Sequence, residues 1–129
     1  MGEPAAIGPV AIALPPDPAL SRVLRLAASG IAAMGGFTID EIEDIKIAVS
    51  EVLLALIEHG GGAPIGVQFF VEDRSFTVRG HTEVEEFDLD HPDLVLCRTV
   101  LAGVCSRHGI EHVDGNVQIW AAITHASIT

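Results

Sequence analysis

The sequence predicts an α+β domain: a two-layer α/β sandwich, with a mostly antiparallel sheet and three helices on one face. Three observations carry that expectation. Three segments repeat apolar residues at helical spacing, each bounded by cap or glycine signals. The remaining apolar runs are short and fall into hairpin-like pairs. Their order (strand, helix, helix, two strands, acidic loop, helix, two strands) lets all the helices cover one side of a single sheet. At 129 residues and 49% hydrophobic content, the chain reads as one domain over 1–129, with residues 1–6 loose. Aromatic residues make up only 5% and tyrosine is absent, so Ala, Val, Ile and Leu are expected to build the core.

Taken in order, Val10 to Leu14 fits a short strand stopped by Pro15-Pro16. Asp17 reads as an N-cap with Pro18 at the first helical position, where its missing N–H costs nothing. The helix that follows places Leu20, Val23, Leu24, Ala27, Ile31 and Met34 on one face, and Gly35-Gly36 ends it. Thr38 or Asp40 caps the second helix, and Thr38 with Glu41 forms a capping box. Asp40, Glu41, Glu43 and Asp44 crowd its first turns, where the helix dipole favours negative charge. One face of this helix carries Ile42, Ile45, Val49, Val52, Leu53 and Leu56; another carries Ile47, Glu51, Leu54, Ala55 and Glu58. Such a helix is expected to be largely buried.

After Gly60-Gly61-Gly62, residues Ile65–Val71 and Ser75–Arg79 read as two strands around the polar turn Glu72-Asp73-Arg74. Periodicity then disappears from Thr82 to Asp93, a long connection that is acidic throughout. A third helix is expected from Asp93 to Arg107, with Leu94, Cys97, Val100, Leu101 and Val104 inward. Ile110–Val113 and Val117–Thr124 close the chain as a hairpin around Asp114-Gly115-Asn116.

The formal charge is −11, from 18 acids against 7 bases. Nucleic acid and anionic membranes are recognised through clustered Lys and Arg, and no such cluster is present. An acidic surface suits a basic protein partner. No apolar run approaches the roughly 18 residues of a membrane-spanning helix, and no basic N-terminus precedes an apolar stretch. A cytoplasmic protein is expected. Cys97 and Cys105 fall eight residues apart in one predicted helix, about 12 Å, too far for an intrachain disulfide. Among the six histidines, His108 and His112 are four apart, but Gly109 breaks the helix between them. No metal site is expected from them.

Phe37 to Gly60, FTIDEIEDIKIAVSEVLLALIEHG, is the most informative stretch. Its Ala48-Val49-Ser50-Glu51, followed by Ile57-Glu58-His59-Gly60, resembles the nucleotide-site helix of the GHKL-type ATPases. The likeness is strongest to the bacterial anti-sigma-factor serine kinases, where the helix reads roughly A-V-S-E-A-x-T-N-A-x-x-H-G. The element order agrees with that family over nearly the whole chain, which implies the histidine-kinase-like ATPase fold. The resemblance also implies that Glu51 is a general base. It implies, too, that position 55 should hold an Asn chelating the Mg²⁺ that bridges the ATP phosphates. Here that residue is Ala55, which offers Mg²⁺ no oxygen.

The family's adenine-reading box, D-x-G-x-G after a strand, falls on Gly80, Thr82 and Val84, so no carboxylate is available to accept from the adenine amino group. The phosphate-binding G-x-G-L box falls on Pro92-Asp93-Leu94-Val95-Leu96, without glycine. Where the family's lid would close over ATP lies the acidic stretch containing Glu83, Glu85, Glu86, Asp88, Asp90 and Asp93. The expectation is a degenerate nucleotide site, with neither ATP nor Mg²⁺ bound and Glu51 catalytic only if activity survives. Through the resemblance the implied partners are a sigma factor and a sulfate-transporter/anti-sigma-antagonist (STAS) protein, met by a homodimer. Glu83, Glu85, Glu86, Asp88 and Asp90 are the candidate partner-binding residues. The alternatives are an active ATP-dependent serine protein kinase, or a partner-binding domain of another bacterial signalling pathway.

Overall fold

The computed structural model describes residues 6–126; the loose segment expected at 1–6 lies, apart from Ala6, outside them. Five strands and three helices follow the expected order: β1 (Ile7–Leu14), α1 (Ser21–Met34), α2 (Ile39–His59), β2 (Ile65–Glu72), β3 (Ser75–Glu83), α3 (Pro92–Val104), β4 (Arg107–Val113) and β5 (Asn116–Thr124). The sheet order is β1-β2-β3-β5-β4, and every neighbouring pair is antiparallel. The α+β expectation stands.

The two hairpins turn on two residues each with positive φ, Asp73-Arg74 and Asp114-Gly115, the turn geometry whose twist matches that of the flanking strands. The strict alternation along β2 buries Ile65, Val67, Phe69 and Val71 toward the helices. β3 adds Phe76 and Val78, and β5 adds Val117, Ile119, Ala121 and Ile123. Three phenylalanines join this core, contrary to the aliphatic core expected: Phe76 lies 6.3 Å from Phe37 and 5.9 Å from Phe69, ring to ring. So few aromatics still suffice for a cluster at one end of the sheet.

Several sequence boundaries move. Asp17 caps a single 3-10 turn, Pro18–Leu20, before α1 begins. A tighter turn changes the phase of the side chains that follow. Leu24, Ala28, Ile31 and Ala32 form the buried face of α1, while Val23 and Met34 of the expected face are exposed. The small residues Ala28 and Ala32 face inward, and Arg25 reaches from α1 to Ser50 Oγ at 3.3 Å. α3 ends at Val104, three residues early, so that Cys105 leaves the helix as its C-cap and β4 starts at Arg107. β3 runs four residues longer than expected, to Glu83.

α2 is the central element, packed against α1, α3 and the sheet. The capping box is present as predicted, with Thr38 Oγ1 accepting from Glu41 N–H at 3.1 Å. Glu41 completes that box and also makes contacts no local pattern announces, to His125 and Ala126. Its Oε1 accepts from Thr38 N–H at 2.8 Å and meets His125 Nδ1 at 2.7 Å, and its Oε2 accepts from Ala126 N–H at 2.8 Å. His125 N–H donates to the Arg74 carbonyl at 2.7 Å. One carboxylate thus joins the start of α2 to the chain leaving β5, beside the β2–β3 turn.

Burial pushes the Glu41 carboxyl up, but the hydrogen bonds from the Thr38 and Ala126 amides and from His125 outweigh it and bring it down to about 2. The folded value lies below the unfolded one of about 4.3. Its stabilisation is therefore fully present above about pH 4.5 and lost as pH falls toward 2. Glu41→Gln is expected to cost about 1–3 kcal/mol at pH 7, the worth of hydrogen bonds to a charged group. In urea denaturation between pH 2 and pH 7, the two proteins should converge at the acid end. A constant difference at every pH would show that the charge is not what matters.

Candidate functional site

α2 and α3 run antiparallel. Cys97 Sγ faces the Glu51 carbonyl at 3.8 Å, and His59 at one helix end meets Asp93 at the other. Between them lies a cleft of about 270 Å³ lined by Glu51, Leu54, Ala55, Glu58, His59, Asp93, Leu94, Leu96 and Cys97. Of the helix face read from the sequence as Ile47, Glu51, Leu54, Ala55 and Glu58, the last four form the wall of this cleft and Ile47 does not line it. Its volume falls just under the roughly 300–1,000 Å³ of small-molecule pockets.

Glu51 is half-buried, and desolvation, followed by the nearby charge of Glu58, pushes its carboxyl up. Burial and the same Glu51 push the Cys97 thiol up to about 11, so it stays protonated at neutral pH. Burial, then Asp44 and Cys97, push Cys105 to about 12. Both cysteines are free thiols. Ser50 points away from the cleft toward α1, where its Oγ accepts from Arg25.

The other predicted site residues do not join Glu51 and Ala55 at the cleft. Gly80 lies within β3, beneath α2. A Cβ placed there would come within 2.6 Å of Leu56 Cδ1 and 2.9 Å of Val52 Cγ1. Thr82 is buried in the same strand, its hydroxyl donating to the Pro64 carbonyl at 3.0 Å. Val84 is strapped to the β4–β5 hairpin: its N–H donates to the Gly115 carbonyl at 2.9 Å, and His112 Nε2 donates to its carbonyl at 2.8 Å. The residues expected to stand in a strand-following adenine box are thus mostly strand.

The acidic connection is shorter than expected, spanning 84–91, because Thr82 and Glu83 belong to β3 and Asp93 to α3. Glu83, Glu85, Glu86, Asp88 and Asp90 are all exposed. The connection is braced by local bonds, with Asp88 Oδ1 accepting from Asp90 N–H at 3.0 Å and Arg98 donating to the Leu89 carbonyl at 2.9 Å. Sequence reasoning overlooked one constellation. His59, His91 and Asp93 converge at the mouth of the cleft, whereas His108 and His112 were the pair considered. The available signal was a His-x-Asp at a helix start opposite a helix ending in His-Gly.

No family model matches the chain. It is 35% identical over 81 residues to the serine-protein kinase RsbW of Bacillus subtilis strain 168, covering 60% of this chain and 51% of that protein. Over that stretch the chain is similar in sequence to the RsbW serine-protein kinases. RsbW of Halalkalibacterium halodurans is 37% identical over 70 residues, 53% of this chain and 43% of the relative. The chain spans about half the length of these curated relatives. In fold it is similar to the crystal structure of the RsbU and RsbW domains of a Mycobacterium tuberculosis protein, with a TM-score of 0.74 at 18% identity over 92% of this chain and 33% of that one. It is also similar to the SiaB–SiaC complex structure from Pseudomonas aeruginosa, with a TM-score of 0.67 at 12% identity over 88% of each chain. The resemblance read from the 38–60 helix thus agrees with the sequence similarity to RsbW proteins and with the fold of these structures. Among the described residues no helix is long and apolar enough to cross a membrane.

The packing at Gly80 generates a direct test of whether the adenine carboxylate can be put back. Gly80→Asp forces an ionisable side chain between Val52 and Leu56, and is expected to cost about 2–4 kcal/mol from overpacking and charge burial. It should confer no ATP binding. Chemical denaturation with a parallel Mg·ATP titration measures both. Wild-type stability in this variant would mean that α2 can step back from β3 at little cost.

Proposed function

We propose that the chain is a regulator of the anti-sigma-factor type that acts by sequestering a protein, and that its cleft no longer takes Mg·ATP. The observation that carries this reading is the α2–α3 cleft itself. Ala55, 5% exposed, lies where the RsbW-like pattern places the metal-chelating amide. The position of the adenine carboxylate is Gly80, closed over by Leu56 and Val52. The helix start opposite is Pro92-Asp93, which offers a carboxylate and no glycine to approaching phosphates. In this reading the protein has no nucleotide cofactor and works as a homodimer. Its partners are a sigma factor, a STAS-type antagonist, or both.

A second reading is favoured by one observation. Glu51 is kept, and burial raises its carboxyl in the direction useful to a general base. An active serine kinase would use it on a substrate hydroxyl, with ATP held by groups other than those of the family pattern.

Thermal denaturation separates the two. A ligand at 100 times its dissociation constant stabilises a fold by about 2.7 kcal/mol. Millimolar Mg·ATP is expected to leave the melting temperature where Mg²⁺ alone leaves it. A rise of several degrees specific to Mg·ATP would favour the kinase reading.

The exposed carboxylates Glu83, Glu85, Glu86, Asp88 and Asp90 form the proposed contact surface for a basic partner region. Neutralising all five to amides is expected to slow association about tenfold or more at low ionic strength, while dissociation changes little. The difference should fade toward physiological salt, where the Debye length is about 8 Å. Surface plasmon resonance against a partner captured from the native cell reads both rates. Association insensitive to salt and to the five substitutions would remove the loop from the recognition surface.

A further inference from the structure

At the mouth of the cleft, three side chains from the end of α2 and the start of α3 bring their donor atoms close together. His59 is the last residue of α2, His91 is the N-cap of α3, and Asp93 lies in the first turn of α3. His59 Nε2 is 3.2 Å and His91 Nδ1 3.7 Å from the same oxygen, Asp93 Oδ2. The two imidazole rings are 4.6 Å apart, centre to centre. One donor atom from each residue falls within 4.8 Å of the other two. Tetrahedral zinc binds nitrogen and oxygen donors at about 2.0–2.1 Å, which sets neighbouring donors roughly 3.3 Å apart. The separations of 3.2 and 3.7 Å from Asp93 Oδ2 lie on either side of that value.

We propose that His59, His91 and Asp93 bind one zinc-type divalent transition-metal ion, with the fourth coordination position open to water. Two imidazoles and one carboxylate suit zinc and its neighbours far better than Mg²⁺, which takes hard oxygen donors. The site is therefore chemically distinct from a nucleotide-metal site, and it stands whether or not ATP binds the cleft. His59 sits at the C-terminal end of α2, where the helix dipole favours a cation. The Asp93 carboxylate offsets the opposite sign at the start of α3.

The donors are graded from inside to outside. The His59 side chain is 16% exposed, that of His91 41% and that of Asp93 60%, so an ion has an entry path and a fixed donor behind it. The Phe87 ring stands edge-on to His59 at 6.4 Å and walls the site with carbon. His91 Nδ1 now accepts the Asp93 N–H at 3.0 Å. Coordination through Nε2 preserves that cap, whereas coordination through Nδ1 replaces it. Either way the ion ties the end of α2 to the start of α3, at the foot of the acidic connection.

Isothermal titration of the full chain with zinc chloride, free of any affinity tag and of nucleotide, tests the site. One equivalent is expected to bind. His59→Gln, His91→Gln and Asp93→Asn should each weaken binding more than about tenfold, while the paired change His108→Gln with His112→Gln leaves it intact. Cobalt(II) substitution should give the intense visible absorption of a low-coordinate ion, and each ligand variant should lose it. Melting temperatures measured without metal separate loss of a ligand from loss of the fold, and His91→Gln, at an exposed cap, keeps the test open if His59→Gln does not fold. Absence of binding, or affinity unchanged by His91→Gln and Asp93→Asn, or equal loss on the His108 and His112 substitutions, overturns the assignment.

Discussion

The close seating of α2 on β3 is the constraint from which the rest of this structure follows. A 21-residue helix buries Ile45, Ala48, Val49, Val52, Leu53, Ala55 and Leu56, and it must find partners for that surface on three sides at once. The sheet supplies one side, and Gly80 allows the approach, since Val52 and Leu56 occupy the space a side chain there would need. α1 and α3 take the flanks. The capping box and the Glu41 latch then set where the helix starts, relative to the hairpin turn and the end of β5. With the start and the floor set, the end of the helix is set too, which brings His59 opposite Asp93.

In the reading proposed above, the departures from the anti-sigma-kinase pattern are linked rather than independent losses. A polar side chain at position 55 needs room and solvent, and a carboxylate at position 80 needs a gap between helix and sheet. In that reading Ala55 and Gly80 remove both demands, and the helix can sit directly on β3. Polar site residues generally cost stability because their groups must be desolvated without being fully paired. Ala55 and Gly80 place core packing where such site residues would stand. In the reading proposed above, the packing itself keeps nucleotide out. Restoring one chemical group would then leave its space still filled.

What could be read from the sequence divides along the same line. Local signals were legible: the Thr38–Glu41 box, the Asp17 and Pro18 start, the glycine stops, the two hairpin turns and the alternation along β2 each depend on residues within a few positions of one another. The site face of α2 was legible because Glu51, Leu54, Ala55 and Glu58 recur at helical spacing, whatever packs against them. Tertiary effects were not legible. The phase of α1 was misjudged because a 3-10 turn precedes it, leaving Val23 and Met34 in solvent. Gly80 and Thr82 look like loop residues by type, yet pairing with β2 and β5 carries the strand through them to Glu83. His59 is separated from His91 and Asp93 by more than thirty positions of chain, and only the antiparallel α2–α3 pairing brings it to them.

The same pairing determines how the charge of −11 is presented. The stretch 84–91 has no regular structure, but it is held at one end by the hairpin through Val84 and at the other by Arg98 and the α3 cap. Its carboxylates are thus displayed from a braced strap, which loses less conformational entropy on meeting a partner than a free loop does. Positive charge gathers elsewhere. On the open face of the sheet, Arg79 lies over the Phe70 ring at 5.5 Å and Arg107 over Trp120 at 6.0 Å, near the carboxylates Glu72 and Asp73 in the same shallow groove. Opposite charges there offset one another at short range, so little field extends beyond the Debye length. Among the described residues, Arg98 is the one cation hydrogen-bonded to the strap. The strap's exposed carboxylates lie beside the cleft where His59, His91 and Asp93 meet.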